Sequence, residues 1–204
     1  MRQYFDLILD GKIEEAKDYM KRCVPQKLYK FVSLSDKKEC KAVNNSKFET
    51  LANNHIYFSP FSQLNDPYEF QCWPIGETMK NHDYPDELIG QFQERFDLSK
   101  HCVVACLSSN DENNLPMWAY YTNNYAGFCV EYSVIQADLI HKVVYDDDRM
   151  CGDPLYIGLF ISMVQEKQNQ IDILARIISE ASYIKHKSWS WENEFRIVRI
   201  TNDV

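Results

Sequence analysis

The chain has 204 residues, of which 45% are hydrophobic and 14% aromatic, a composition that suffices for the core of one domain. Its formal net charge of -8 excludes a uniformly basic surface, so any contact with nucleic acid has to be local. No apolar run reaches the roughly 20 residues that span a bilayer, and the acidic N-terminus is unlike a signal peptide. We therefore expect a single domain over residues 1–204, located in the cytoplasm and without a membrane partner.

The apolar and turn-forming residues predict short helices and strands in irregular order. Helices are predicted over residues 2–23 with a break at Asp10 and Gly11, over 47–53 with Ser46 as N-cap, and over 85–96, 117–121 and 155–184. Strands are predicted over residues 28–32, 55–59, 68–73, 102–107, 126–132, 139–145 and 192–200. Because no regular strand-helix-strand rhythm is present, the pattern indicates an α+β fold with an N-terminal helical segment (1–25) and a core (26–204).

Two carboxylates, Glu192 and Glu194, open the last predicted strand in surroundings rich in aromatic residues. Side chains two apart on a strand point to the same face, so these like charges have to be neutralised, hydrogen-bonded or turned toward a ligand. One interpretation is a catalytic pair in which a carboxylate binds a ribose hydroxyl or stabilises a cationic transition state. The other is a structural ion pair with a nearby cation: Lys187, Arg196 or Arg199.

A polar corner and an aromatic helix are further candidates for a ligand site. Asp66 is held extended by the proline that follows it, and together with Asn65 and Glu69 it could face a ligand or lie in a solvated turn. The predicted helix 117–121 carries rings that could stack on a ligand or fill the core. Sequence alone leaves both alternatives open at both places.

The sequence lacks the residue spacings of several common sites. It contains no glycine-rich phosphate loop, and its five histidines and seven cysteines show no metal-ligand spacing. We therefore expect no metal site, and we interpret the cysteines as reduced thiols. The alternative is a hydrolase or nuclease that holds Mg²⁺ or Mn²⁺ through Asp66, Glu69 and Glu194.

Short motifs along the chain resemble, in their order, those of one bacterial family. They occupy residues 28–31, 56–59, 65–69, 117–121 with Gly127, 144–145 and 189–196. Through them the chain resembles the domain of unknown function numbered 2971, over residues 26–200. It also resembles, more distantly, the ADP-ribosyltransferase fold, in which a split sheet holds NAD, the first strand carries a polar ligand-binding residue and a late strand carries the catalytic glutamate.

The second resemblance implies a split, mixed or antiparallel sheet with flanking helices, and it implies NAD as the cosubstrate. Glu194 would bind the nicotinamide ribose and favour an oxocarbenium-like transition state, while Glu192 would orient the acceptor. Tyr29 or Lys30 would stand where that fold usually carries Arg or His. The residues implied for NAD binding are Tyr29, Lys30, Tyr57, Asn65, Asp66, Trp118, Tyr120, Tyr121 and Tyr125.

The function implied by this resemblance is that of an ADP-ribosyltransferase-like protein that uses NAD to modify a macromolecule or a nucleotide, as a bacterial toxin or anti-phage defence effector. Its partners would be a nucleotide ligand, a protein or nucleic-acid acceptor, and an antitoxin or another component of a defence system. The alternative is a non-catalytic ligand-sensing or protein-interaction domain, in which Glu192, Glu194 and Arg196 form a structural cluster.

Overall fold

The computed structural model describes residues 2–66, 86, 102–147 and 182–201. The predicted strand 68–73, nearly all of the predicted helices 85–96 and 155–184, and the candidate residue Glu69 lie outside these ranges. The α-helices are α1 (Arg2–Leu9), α2 (Ile13–Cys23), α3 (Lys41–Ala52) and α4 (Leu115–Tyr121). The strands are β1 (Lys27–Ser33), β2 (Ser59–Pro60), β3 (Cys102–Ser108), β4 (Gly127–Ser133), β5 (His141–Lys142), β6 (Val144–Asp146), β7 (Ile184–His186) and β8 (Glu194–Ile200). Short 3-10 helices span Lys38–Cys40, Phe61–Gln63, Ala137–Leu139 and Lys187–Glu192.

Six of these strands form one antiparallel sheet that consists of two halves. The strand order is β4-β1-β3-β8-β5, and β2 pairs with β3 outside this path. β1 and β4 pair along their whole length, and so do β3 and β8. Between the halves, the described strands β1 and β3 share a single register pair, Tyr29 with Ser108. The sheet is therefore split, because the two halves separate beyond this pair.

A second sheet of two strands lies beside the first and is parallel. β6 pairs with β7, from Val144 opposite Ile184 to Asp146 opposite His186. The described part of the molecule thus contains helices and a mostly antiparallel sheet, and the predicted α+β class is confirmed.

Apolar side chains of β3 and β8 face both sides of the sheet. Leu107 and Phe195, which are paired across the two strands, pack in one cluster with Leu28. The alternate residue Val104 packs in a second cluster with Phe61. A strand that is buried on both faces has a continuous run of apolar residues in its sequence, as residues 102–107 do. Burial of each large apolar side chain stabilises the folded state by about 1.5–3 kcal/mol.

Several element boundaries differ from the predictions for local reasons. The helix predicted over 47–53 begins at Lys41, directly after a 3-10 turn, and Ser46 is no N-cap because its hydroxyl donates to Val43 O (2.8 Å) inside the helix. The predicted strand 55–59 is reduced to Ser59–Pro60. A proline has no N–H to donate to a ladder, which limits such a strand.

The predicted strands near the C-terminus were also too long. Residues 139–145 form two strands, β5 and β6, which pair with β8 and β7 respectively and separate at Val143. The predicted helix 155–184 ends too late, because Ile184 already begins β7. The predicted strand 192–200 begins only at Glu194, after a residue in the left-handed conformation, Asn193.

Candidate functional site

A cavity of about 750 Å³ lies where the two halves of the large sheet separate. We call it the split-sheet cavity. Its walls are formed by residues 29–33 of β1, residues 106–108 of β3 and the inner side of α3, and Glu192 and Glu194 line it as well. Glu194 lies opposite Ser108, which in turn lies opposite Tyr29 of β1. The carboxylates are therefore near one end of the wall that β1 forms.

Eight of the eleven residues predicted for the site line this cavity: Tyr29, Lys30, Tyr57, Asn65, Tyr120, Tyr121, Glu192 and Glu194. The other three, Asp66, Trp118 and Tyr125, do not. Trp118 packs edge-on against Phe31 at 5.4 Å between ring centroids, and its Nε1 donates to Glu112 O at 2.7 Å. Tyr125 is exposed and has a φ of 70° in the turn before β4. Asp66 is buried.

Glu194 is held by two cations. Arg196 Nε donates to Glu194 Oε1 at 2.7 Å, and Arg196 Nη2 donates to Oε2 at 3.0 Å. Lys185 Nζ donates to Oε2 at 3.1 Å. Burial opposes ionisation of Glu194, but the charges of Arg196 and Lys185 outweigh it and hold the pKa of Glu194 well below its usual range. Glu194 is thus a charged carboxylate and a weak base.

The ion pair between Glu194 and Arg196 was one of the two alternatives left open by the sequence, and it is confirmed. Lys187 and Arg199, the other two cations proposed as partners of the carboxylates, have different partners. Lys187 pairs with Asp147 at 2.5 Å, and Arg199 donates to the carbonyl of Val198 at 3.1 Å. Arg196 in turn donates to the carbonyl of Ser182 at 2.5 Å, so its guanidinium is fixed on two sides.

Glu192 reaches the same cluster by a different route from the one predicted. It ends the 3-10 helix Lys187–Glu192, so strand alternation does not bring it to the side of Glu194. Instead Lys185 Nζ donates to Glu192 Oε2 at 2.6 Å and bridges both carboxylates. The phenol of Tyr121 donates to Glu192 Oε1. Burial and the charge of Glu194 raise the pKa of Glu192, which makes it the stronger base of the two.

A clasp of polar side chains fixes the backbone between the two carboxylates. Ser108 Oγ donates to Glu192 O at 2.5 Å, and Asn110 Nδ2 donates to the same carbonyl at 3.1 Å. Asn193 has a φ of 46° and donates through Nδ2 to Asn110 Oδ1 at 2.9 Å. Asparagine is among the few non-glycine residues that adopt this conformation readily. The clasp therefore sets the positions of Glu192 and Glu194 relative to β3.

The aromatic residues of the site differ in how freely they reach the cavity. The hydroxyl of Tyr29 already donates a hydrogen bond to Glu131 Oε2 at 3.0 Å. Tyr57 and Tyr120 are 55% and 64% exposed, so their faces are available for stacking. Tyr120 also packs against Trp191 at 5.2 Å between centroids. Burial and the nearby charge of Glu192 raise the pKa of Tyr121, so its phenol keeps its proton.

Lys185 and Lys47 also line the cavity, and sequence reasoning missed both. Lys185 is 6% exposed, and its ammonium lies 4.9 Å from the ring centroid of Trp189. No local signal identifies it, because the pairing of β6 with β7 carries it to the carboxylates. Lys47 lay in a predicted helix, but nothing in the sequence indicated which face of that helix meets the sheet.

The described residues provide no cluster of three or more His, Cys, Asp or Glu side chains that could hold a metal ion. Glu69 of the alternative set Asp66, Glu69 and Glu194 lies outside the described residues, so that set stays a prediction, and Glu194 is already bound by two cations. The five cysteines in the described ranges are free thiols. No helix in these ranges has both the length and the apolar character that crossing a membrane requires.

Comparison with curated proteins gave no match, and neither did comparison with solved structures. The model of one family, described as Protein of unknown function (DUF2971), matches residues 117–197. This segment contains Tyr120, Tyr121, Lys185 and both carboxylates of the site. It covers the C-terminal part of the predicted resemblance, which extended over residues 26–200. For residues 117–197, the resemblance to this family of unknown function is confirmed.

Proposed function

We propose that the protein binds NAD in the split-sheet cavity and transfers ADP-ribose from it to a macromolecule or a nucleotide. The observation that carries this proposal is that eight residues predicted for such a site line one cavity, and two of the eight are carboxylates linked by Lys185. A volume of about 750 Å³ lies within the usual range of small-molecule sites. The split of the sheet beside Tyr29 also fits the resemblance to the ADP-ribosyltransferase fold.

In the proposed reaction, the bond between the nicotinamide nitrogen and ribose C1′ breaks, and its electron pair leaves with nicotinamide. The acceptor forms a new bond to C1′ and loses a proton. Glu194 is charged, so it stabilises the positive charge that develops on the ribose. Glu192 has a raised pKa and is the residue suited to take the proton of the acceptor. Tyr57 and Tyr120 offer exposed rings to the bases of NAD.

Nicotinamide release from labelled NAD tests this proposal, with protein and nucleic-acid acceptors present. Glu192→Gln and Glu194→Gln are expected to abolish release, whereas Glu14→Gln, which changes an exposed carboxylate of α2, leaves it unchanged. Thermal denaturation of each variant separates loss of chemistry from loss of folding. Folded wild-type protein that neither releases nicotinamide nor binds NAD in calorimetry would rule out the transferase.

One observation favours a second candidate function, that of a non-catalytic module that binds a nucleotide as a sensor or interaction domain. Both oxygens of Glu194 are occupied by Arg196 and Lys185, as expected of a structural cluster. In this case NAD or another nucleotide binds without being cleaved, and Glu194→Gln lowers the stability of the protein without removing any turnover. Calorimetry combined with the release assay distinguishes the two functions.

The proposed biological setting is bacterial defence against phage or the action of a toxin. It follows from the resemblance and has a direct test. Expression of the wild-type chain in a bacterial host is expected to arrest growth if the transferase is active, and Glu192→Gln is expected to relieve the arrest. Arrest that persists in this variant would separate toxicity from the proposed chemistry.

A further inference from the structure

The described lining of the split-sheet cavity contains more lysines than carboxylates, although the chain as a whole has a net charge of -8. Lys185 and Arg196 balance Glu192 and Glu194, so this buried cluster is neutral. Two more lysines line the cavity, Lys30 and Lys47. In the described ranges no carboxylate forms a salt bridge with either of them. Both lysines therefore lie outside the neutral cluster.

Both lysines are tied to neutral acceptors and keep donors for a ligand. Lys47 Nζ donates to the carbonyl of Ser33 at 2.7 Å and lies 3.3 Å from its hydroxyl oxygen. Lys30 Nζ donates to Cys106 O at 3.2 Å. An ammonium group has three N–H donors, so at least one on each lysine is left over. Burial lowers the pKa of Lys30 and the nearby charge of Glu194 opposes this, so an anion bound beside Lys30 would favour its charged form.

The hydroxyl groups next to Lys47 on α3 have no proton left to donate to an anion. Ser46 Oγ donates to Val43 O at 2.8 Å, and Thr50 Oγ1 donates to Ser46 O at 2.8 Å. Each hydroxyl has a single proton, and both protons are used within the helix. On the wall that α3 forms, Lys47 is therefore the side chain with strong donors for an anion.

The two lysines also define a direction in the cavity. Lys30 follows Tyr29, the residue of β1 that pairs with Ser108 beside Glu194. Lys47 is hydrogen-bonded to Ser33, which is three residues beyond Lys30 on the same strand. Three residues correspond to about 10 Å of strand. An anion at Lys47 thus lies toward the end of β1 that is farther from Glu192 and Glu194. The spacing suits an extended anion better than a point charge.

We infer that the ligand of the split-sheet cavity carries two linked phosphates and that Lys47, together with Lys30, binds them. The sugar and leaving group then lie toward Glu192, at the other end of β1. This inference rests on the proposed function for the statement that the cavity is the ligand site. It adds the residues that bind the diphosphate of that ligand and an orientation of the ligand in the cavity.

Calorimetric titration with pyrophosphate, ADP-ribose and adenosine tests the inference. Lys47→Ala is expected to weaken binding of pyrophosphate and ADP-ribose by about 10- to 100-fold, the loss of one charge-assisted hydrogen bond, and to leave adenosine unchanged. Lys47→Arg keeps the charge and is expected to retain most of the affinity. Lys41→Ala removes an exposed lysine of the same helix and serves as the matched control.

Each outcome decides a separate question. Pyrophosphate that binds Lys47→Ala and wild type equally, or binds neither, overturns the inference. Nicotinamide release by Lys47→Ala with an unchanged KM for NAD overturns it too, and leaves the transferase intact. Lys47-dependent binding of pyrophosphate in a protein that never cleaves NAD supports the inference and removes the transferase.

Discussion

Replacement of Lys185 by methionine tests the buried charge cluster most directly. The ammonium lies 2.6 Å from Glu192 and 3.1 Å from Glu194, and all three side chains are at most 6% exposed. Without Lys185, two carboxylates share one remaining cation, Arg196. Removing one partner of a buried ion pair costs about 3–5 kcal/mol, a large fraction of the roughly 5–15 kcal/mol that stabilises a typical domain. We expect Lys185→Met to lose about 3 kcal/mol in urea denaturation at pH 7.5.

The pH dependence of this loss provides a second measurement. The pKa of Glu192 is already raised in the wild type, and it rises further once Lys185 is gone. A carboxylate whose pKa is higher in the folded than in the unfolded state binds more protons when folded, so the stability of the variant increases as the pH falls. The gap between Lys185→Met and wild type is expected to narrow from pH 7.5 to pH 5.

Two further variants decide whether this reasoning holds. Glu192→Gln added to Lys185→Met removes the uncompensated charge, and the double variant is expected to be more stable than the single one. Lys187→Met changes an exposed lysine two residues away and is expected to leave the urea midpoint within error. A loss under about 1 kcal/mol for Lys185→Met, or a double variant no more stable than the single, would refute the account of the cluster.

Three other substitutions test the fold. The ring Nε2 of His141 is buried, and burial lowers the pKa of His141 to about 4, so the folded state binds fewer protons than the unfolded state between pH 6.5 and 4. The contribution of the neutral His141 to stability is fully present above pH 6.5, and about 3 kcal/mol is lost toward pH 4. His141→Phe is expected to remove this loss in urea titrations across this range. Gly127→Ala would place a Cβ 2.2 Å from Val32 O and 2.7 Å from Thr122 Cβ, and we expect thermal denaturation to show a loss of at least about 1–3 kcal/mol. Asn193→Val forces a branched side chain into a φ of 46°, and because Asn193→Gly loses the same hydrogen bond to Asn110, the valine variant is expected to be about 1–2 kcal/mol less stable than the glycine variant in the same assay.

Each of these predictions has a clear contrary result. An unchanged acid transition in His141→Phe would mean that other groups control the acid sensitivity. A melting temperature of Gly127→Ala equal to that of wild type would mean that β1 and β4 can move apart at this point. Equal stability of the valine and glycine variants at position 193 would contradict the statement that the left-handed conformation of this residue disfavours a branched side chain.

Local patterns in the sequence were enough to predict much of the fold. The break at Asp10 and Gly11 separates α1 from α2, and the apolar run 102–107 became the strand between β1 and β8. The ion pair between Glu194 and Arg196 could also be predicted, because residues two apart on a strand lie on the same face. These features depend on residues close in sequence, and periodicity reports on such residues reliably.

The rest of the site depends on contacts between distant segments. Lys185 reaches the carboxylates through a strand pairing that joins residues some forty positions apart, and no sequence pattern indicates that pairing. Glu192 was predicted to lie beside Glu194 through alternation on one strand, and this reason was wrong, because Asn193 interrupts the expected strand. Trp118 points to Phe31 while its neighbours on α4 line the cavity, and so short a helix shows no clear face in the sequence.

The single backbone pair between Tyr29 and Ser108 has a consequence for cooperativity. The ladder of β1 with β4 and the ladder of β3 with β8 are each complete, but their backbones pair with each other at one position. Amide hydrogens of the two ladders are therefore expected to exchange as two groups with separate opening free energies. A molecule held between Lys30 on one ladder and Glu192 beside the other would tie them together, and their exchange rates would then converge.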